Sequence, residues 1–142
     1  MNKKHTALKT YLKLTRAADS LKSRVYASLA KFNLSESQID VLEALMNLRP
    51  LTQKQLGNKL FKSGGNITMV IDNLEKQDIV TRKRGKPDRR FFTIHLTARG
   101  EAKINEIFPD LIKAISEEMK ILSNKDLAEL QRLTKAVGLK RK

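Results

Sequence analysis

The sequence predicts a mainly α-helical protein of six helices with one small β-hairpin, and three observations support this fold class. Apolar residues recur at helical spacing over most of the 142 residues. The period becomes alternating only over residues 79–96, around Gly85 and Pro87. Two short helices with capping signals directly precede that segment. This order of elements is that of a winged helix-turn-helix.

The first three helices are defined by their caps and by their spacing. Residues 6–31 contain neither Gly nor Pro, and their leucines recur at helical spacing, which predicts one long helix. At about 1.5 Å per residue it would span about 40 Å, too long for its own chain to wrap. Ser35 with Gln38 forms a capping box that starts a second helix, and Thr52 with Gln55 repeats it at a third.

A fourth helix completes a helix-turn-helix over residues 52–77. Its apolar residues stand at i, i+3, i+4 and i+7, namely Ile67, Val70, Ile71 and Leu74. The turn before it is predicted from Lys62 to Gly65. Such a second helix buries one face and leaves a small polar face outward, which is typical of a recognition helix.

The hairpin over residues 79–96 is predicted as a wing. In its first strand Val80 alternates with Arg82 and Arg84, and in its second Phe92, Ile94 and Leu96 alternate with Thr93 and His95. One face of the hairpin should pack on the core and the other should face outward. The turn carries the basic residues that are considered below.

The last two helices begin at Thr97 and at Ser123, and the second of them closes at Gly138. Pro109 lacks an amide donor and should kink the fifth helix near residues 105–108. With the first helix, these helices carry more apolar surface than one copy could cover. We therefore expect one domain over residues 1–142 that dimerises through helices at 4–32 and 101–140. The predicted interface residues are Leu8, Leu12, Ile107, Leu111, Ile115, Leu127, Leu130 and Leu133. An intramolecular bundle of the same helices is the alternative.

Charge and composition limit the function. Lys and Arg number 29 against 15 Asp and Glu, a net charge of +14, so a polyanion is the expected partner. Cysteine is absent, and His5 and His95 lie far apart without carboxylates at metal-ligand spacing, so we expect neither metal nor cofactor. No constellation of catalytic residues is present, which argues against an enzyme. The sequence also lacks a membrane span and a secretory signal, from which we expect a cytoplasmic protein.

The start of the fourth helix is the first predicted contact with DNA. Asn can read adenine and Met can contact a thymine methyl group in the major groove. The amides at the start of the helix favour a phosphate, although the glycines there also fit a plain tight turn. The candidate residues are Ser63, Gly64, Gly65, Asn66, Thr68, Met69 and Asn73.

The wing and the start of the third helix are the second predicted contact. A narrow minor groove attracts arginine, and Arg90 is the leading candidate for insertion. Asp88, an acid among basic residues, is expected to hold a wing arginine through a charge-assisted hydrogen bond. The candidate residues are Thr52, Gln53, Arg82, Arg84, Lys86, Asp88, Arg89 and Arg90. A solvated charged loop is the alternative interpretation of the wing.

The run VTRKRGKPDRRFFTIHLTARGEA resembles the wing and the following helix start of MarR regulators, a family of transcriptional regulators. The shared elements are Arg82, the D-R-R of residues 88–90, and the L-T-x-x-G of residues 96–100. Upstream, LTQKQLGNKL and SGGNITMVIDNLEKQ are similar to the family's third and fourth helices. Two positions depart from the pattern: Met69 stands where many relatives carry arginine, and Asp78 replaces a common glycine.

This resemblance implies a two-fold homodimer that binds a pseudo-palindromic double-stranded operator, usually as a repressor that a small-molecule effector releases. A winged-helix lobe over residues 33–100 would bind DNA, with the wing roles at Asp88 and Arg90 and the major-groove role at residues 63–69. Two recognition helices would enter successive major grooves about 34 Å apart. The alternative function is a basic protein that binds RNA or DNA without sequence specificity, against which the helix-turn-helix spacing argues.

Overall fold

A computed structural model describes residues 2–48, 50–60, 64–85 and 90–139. Within them, the six predicted helices and the hairpin are confirmed. The helices are α1 (Lys3–Ala27), α2 (Glu36–Leu48), α3 (Gln53–Lys59), α4 (Gly64–Lys76), α5 (Ala98–Met119) and α6 (Asn124–Gly138), and the strands are β1 (Leu51–Thr52), β2 (Val80–Arg84) and β3 (Phe92–Leu96). None of the described helices has an apolar stretch long enough to cross a lipid bilayer.

The chain forms two compact units. The central unit is residues 29–110, and the terminal unit is residues 1–28 together with 111–142. The core of the central unit lies between α2, α4, the sheet and the start of α5. Its fully buried side chains include Val41, Leu42, Leu56, Ile71, Leu74, Ile94 and Ile104. The predicted inward face of α4 is confirmed at Ile67, Ile71 and Leu74.

The sheet has three antiparallel strands in the order β1, β3, β2. The sequence predicted only the hairpin, because a two-residue edge strand is too short to leave an alternating pattern. The expected alternation of Val80 with Arg82 and Arg84 is wrong. All three lie on one face of β2, since the side-chain period of a strand is two residues. Arg82 therefore shares the face of buried Val80.

The predicted caps are confirmed. In the box at α3, the Thr52 hydroxyl accepts from the Gln55 amide at 3.0 Å, and Gln55 Oε1 accepts from the Thr52 amide at 2.8 Å. Two helix boundaries differ from the prediction. The first helix ends at Ala27, because a 3-10 turn and the left-handed Asn33 (φ 57°) follow it. The recognition helix includes Gly64 and Gly65, which were predicted to belong to the turn before it. Helix α5 continues through Pro109.

The L-T-x-x-G motif fixes the start of α5 against the end of α4. The Thr97 amide donates to the Ile79 carbonyl at 3.0 Å, and the Thr97 hydroxyl donates to the Asp78 carbonyl at 2.6 Å. The Gly100 amide donates to that hydroxyl at 3.0 Å. A Cβ atom on Gly100 would lie 2.1 Å from the Ile79 carbonyl oxygen. Only glycine allows this approach.

Asp78 occupies a left-handed conformation, with φ 60°. Holding a non-glycine residue in this conformation costs about 1–2 kcal/mol, whereas ordering a glycine there costs about 0.5–1 kcal/mol. We expect Asp78→Gly to raise the free energy of unfolding by about 0.5–1 kcal/mol, measured by urea denaturation. Asp78→Val should lower it, since a β-branched side chain fits this conformation poorly. A glycine variant less stable than the parent would contradict this account.

Candidate DNA-binding surface

The outward face of α4 is polar and exposed. Asn66, Thr68, Met69 and Asn73 are all exposed, and the Met69 side chain retains 63% of its accessible surface. These four candidates lie opposite buried Ile67 and Ile71, on the same helix. Gly64 and Gly65 form the first turn of α4, while Ser63 lies outside the described residues. The helix thus presents hydrogen-bonding groups and a thioether at one surface.

Arg82 is held next to this surface by hydrogen bonds to α4. Its side chain is only 17% exposed. Nη2 donates to Asp72 Oδ1 at 2.7 Å and Nη1 donates to Glu75 Oε1 at 2.9 Å, which joins β2 to two acids on α4. The Arg82 amide also donates to Glu75 Oε2 at 3.2 Å. The guanidinium is therefore held within the central unit.

Gln53 connects Arg82 to the exposed face of α4. Gln53 Oε1 accepts from Arg82 Nη2 at 3.3 Å and from Nε at 3.4 Å. Gln53 Nε2 donates to Thr68 Oγ1 at 2.7 Å. With its oxygen held by an arginine, the Gln53 amide is oriented so that its nitrogen meets Thr68. The network fixes both helices of the helix-turn-helix to the wing strand.

Gln53, Thr68 and Arg82 were predicted from the sequence as site residues, but the hydrogen bonds that connect them were not. Asp72 and Glu75 were not predicted, although two acids one helical turn apart indicate a basic partner on a neighbouring element. The Thr52 hydroxyl, another candidate, accepts the hydrogen bond that caps α3. Of the candidates on α3 and β2, Arg84 lies nearest the tip of the wing.

Two arginines lie over phenylalanine rings at the described part of the wing. The Arg84 guanidinium lies 4.6 Å from the centre of the Phe92 ring, and that of Arg90 lies 5.7 Å from the Phe91 ring. The Gly85 amide donates to the Phe91 carbonyl at 2.7 Å and closes the hairpin. Arg90 is exposed. Lys86, Asp88 and Arg89 lie outside the described residues, as does the expected contact between Asp88 and an arginine.

A cavity of about 250 Å³ lies between the end of α2, β3 and the first turns of α5. Its lining combines apolar side chains with the polar groups of His95, Glu101 and Asn105, and the polar surface is the larger part. The Thr93 hydroxyl lies 3.3 Å from the Lys83 carbonyl oxygen, to which it can donate, and forms a hydrogen bond of 2.8 Å with His95 Nε2. Burial, with a smaller contribution from Lys83, lowers the pKa of His95 below its usual value. In the neutral ring one nitrogen donates and the other accepts.

The predicted dimer residues divide into two groups. Leu8, Ile115, Leu130 and Leu133 are exposed, and Leu12 and Leu127 are half-buried. Ile107 is fully buried and Leu111 is 6% exposed within one copy, so both retain little surface for a partner. Their assignment to the interface is therefore corrected. The helical spacing that singled them out arises from the chain's own core.

The comparisons with known proteins agree with this geometry. A sequence model of the family described as Transcriptional regulator SarA/Rot matches residues 24–107. The HTH-type transcriptional regulator MhqR of Bacillus subtilis (strain 168) is 32% identical over 136 residues, which are 96% of this chain and 94% of MhqR.

Two solved structures share the fold. AbsC of Streptomyces coelicolor, a MarR family transcriptional regulator, has a TM-score of 0.81 at 21% identity, over 96% of this chain and 93% of AbsC. The transcriptional repressor CouR, solved with a 23-mer DNA duplex, has a TM-score of 0.80 at 20% identity, over 89% of this chain and 90% of CouR. With the family match and the helix-turn-helix described above, these likenesses lead to one assignment: the chain belongs to the MarR-type winged helix-turn-helix transcriptional regulators of the SarA/Rot family.

Proposed function

We propose that the protein is a repressor that binds a pseudo-palindromic duplex operator as a homodimer and that a small-molecule effector releases it. The observation that carries this proposal is the division of α4 into a buried apolar face and an exposed polar face beside a basic hairpin. A DNA-bound regulator works where the chromosome is, so a cytoplasmic location is part of the proposal. CouR, itself a repressor with a DNA duplex, supports it by likeness of fold.

Each part of the surface receives a role in this proposal. Asn66, Thr68, Met69 and Asn73 read base edges in the major groove, and the amides of residues 63–65 bind a phosphate. Arg84 and Arg90, with Lys86, Asp88 and Arg89, form the wing contact to the flanking minor groove. Thr52 caps α3, while Gln53 and Arg82 hold Thr68 in place. Arg82 is thus a positioning residue in this proposal.

The dimer is proposed from the apolar surface of the terminal helices. Leu8, Ile115, Leu130 and Leu133 are between 38% and 54% exposed in one copy. Exposed leucine and isoleucine side chains on all three of these helices favour burial against a partner. We keep the proposed division of the domain, with dimer helices at 4–32 and 101–140 and a lobe at 33–100. A dimer presents two recognition helices about 34 Å apart, which is one turn of duplex.

The cavity beside His95 is the candidate effector site. Its mixed lining suits a small molecule with both apolar and polar groups, and the carboxyl group of Glu101 favours a ligand with hydrogen-bond donors. The cavity touches β3, which pairs with the wing strand β2 throughout its length. A ligand that binds the DNA-free form more tightly would release the operator by that difference in affinity.

Genome-wide capture of bound DNA fragments, with and without candidate metabolites, tests this proposal. We expect a small set of fragments that share an inverted repeat, and their loss when the effector is present. Capture that follows only the abundance of DNA, with no shared sequence, would contradict operator recognition. That outcome would favour the alternative of a basic protein that binds nucleic acid without specificity.

Arg90→Ala should weaken operator binding about 10-fold and leave the melting temperature nearly unchanged. The side chain is exposed at the wing and contributes little to the core, whereas an arginine in the minor groove contributes about 1–2 kcal/mol. Fluorescence anisotropy with a labelled operator measures the first effect and thermal unfolding the second. Arg99→Ala, an exposed change outside the wing, is the matched control. Equal affinity of both variants would contradict the wing contact.

A further inference from the structure

Most of the net positive charge lies outside the unit that carries the helix-turn-helix. Residues 1–28 and 111–142 contain fifteen Lys and Arg against five Asp and Glu. Residues 29–110 contain fourteen against ten. The terminal unit therefore holds a net charge of +10 and the central unit one of +4. Operator binding by the central unit does not account for this distribution.

Three of these cations lie together on one side of α1. Lys9, Lys13 and Arg16 stand at i, i+4 and i+7, so their side chains project within about 60° of one another around the helix. All three are exposed and border a shallow depression together with Leu12. We call these three residues the α1 basic stripe. Over the described part of the chain, none of them forms an ion pair.

Three other cations of the terminal unit are paired with acids. Arg24 pairs with Glu118, Lys120 with Glu117 at 2.8 Å, and Arg132 with Glu129. The stripe differs in its balance of charge: Asp19, one helical turn after Arg16, is the one acid of α1, so three cations stand near a single carboxylate. Such a row of like charges raises the local positive potential, which attracts a polyanion.

The accessibility of the stripe depends on which side of α1 packs in the dimer. Tyr11, Leu14 and Val25 project from the side opposite the stripe, and Val25 is buried there. Leu8 and Leu12, the interface residues predicted on α1, lie along one edge of the stripe, and Leu12 borders the same depression. Access to the stripe therefore requires a dimer that packs along that edge without covering the three cations.

We propose that the α1 basic stripe binds the phosphates of a second duplex DNA segment, without sequence preference, while the helix-turn-helix holds the operator. The stripe extends about 10 Å along α1, and a duplex carries about six negative charges over that length. Lysine and arginine on an exposed helix can follow such a backbone without base contacts. Duplex DNA is also the polyanion nearest to a bound regulator. This inference assumes the proposed operator binding.

A capture assay with the full chain tests the inference. An immobilised operator, trimmed to its footprint, is saturated with protein and then offered a labelled duplex of unrelated sequence. We expect the wild-type protein to capture the label, with a log–log salt slope of about 3 for three phosphate contacts. The variant K9Q/K13Q/R16Q should retain operator binding within about twofold but capture the label about 100-fold more weakly at about 0.1 M salt.

The matched control is K120Q/K125Q/R132Q, which removes the same charge from another part of the terminal unit. It should capture the label almost as well as the wild type. The inference is overturned if the wild type captures no second duplex, if the stripe variant captures it normally, or if the control loses as much. Stripe-dependent binding to vesicles of anionic lipid without capture of DNA would also overturn it. Failure of the operator proposal is distinct, because no protein would then remain on the immobilised duplex.

Discussion

Arg82→Ala is expected to lower operator affinity about 100-fold, although the guanidinium points into the central unit. The change removes hydrogen bonds to Asp72, Glu75 and Gln53, and the Gln53 amide then loses the partner that orients it toward Thr68. We expect the loss of these hydrogen bonds to cost about 2–3 kcal/mol of binding free energy, which corresponds to this change in affinity. Equilibrium binding to the operator and to single-base variants measures it. The affinity for the operator divided by the affinity for a single-base variant should also fall.

Two controls separate positioning from simple charge. Lys83→Ala removes an exposed neighbour on the same strand and should cost at most one phosphate contact, with a salt slope reduced by about 1. Gln53→Ala should reproduce most of the Arg82→Ala loss, and the double variant should add little, because both residues act through the same contact. The positioning role would be contradicted if the losses of affinity in the double variant were additive. It would also be contradicted if Arg82→Ala discriminated between the operator and its single-base variants as well as the wild type does.

Gly100→Ala is expected to lower the free energy of unfolding by about 2–4 kcal/mol. The added Cβ would lie 2.1 Å from the Ile79 carbonyl oxygen, and backbone must move to admit it. That carbonyl accepts the Thr97 amide, so the shift disturbs the cap of α5 as well. Urea denaturation followed by circular dichroism measures the loss.

Gly138→Ala is the matched control, since a Cβ there would meet nothing within 4 Å. Its free energy of unfolding should stay within about 0.5 kcal/mol of the parent. Equal stability of the two alanine variants would show that the close approach at Gly100 is not required. The same result would leave the L-T-x-x-G motif without a structural reason.

Much of the fold could be predicted because its signals are local. The capping boxes at Ser35 and Thr52 and the spacing of α4 depend on residues within one helical turn, and all are confirmed. The strand β1 could not be predicted, since its two residues form a strand only by pairing with Ile94 and Thr93 far along the chain. The alternating residues of β3 can be recognised in the sequence, but the pairing of β1 with them cannot.

The residues of the site could be predicted from their types, but the role of each residue could be predicted less well. An arginine in a basic run suggests a DNA contact, yet Arg82 shares the core-facing side of β2 and meets two acids of α4. Ile107 and Leu111 carried the same helical spacing as the exposed apolar residues, and periodicity cannot tell which partner buries a face. Met69 and Asn73 were placed correctly on the outward face because α4 has a clear apolar stripe.

Hydroxyl-radical footprinting of the purified protein on a captured operator tests the central claim most directly. The account predicts two protected half-sites whose centres lie about 34 Å apart, with further protection in the flanking minor grooves. Protection of a single half-site, or uniform weak protection of every duplex offered, would contradict it.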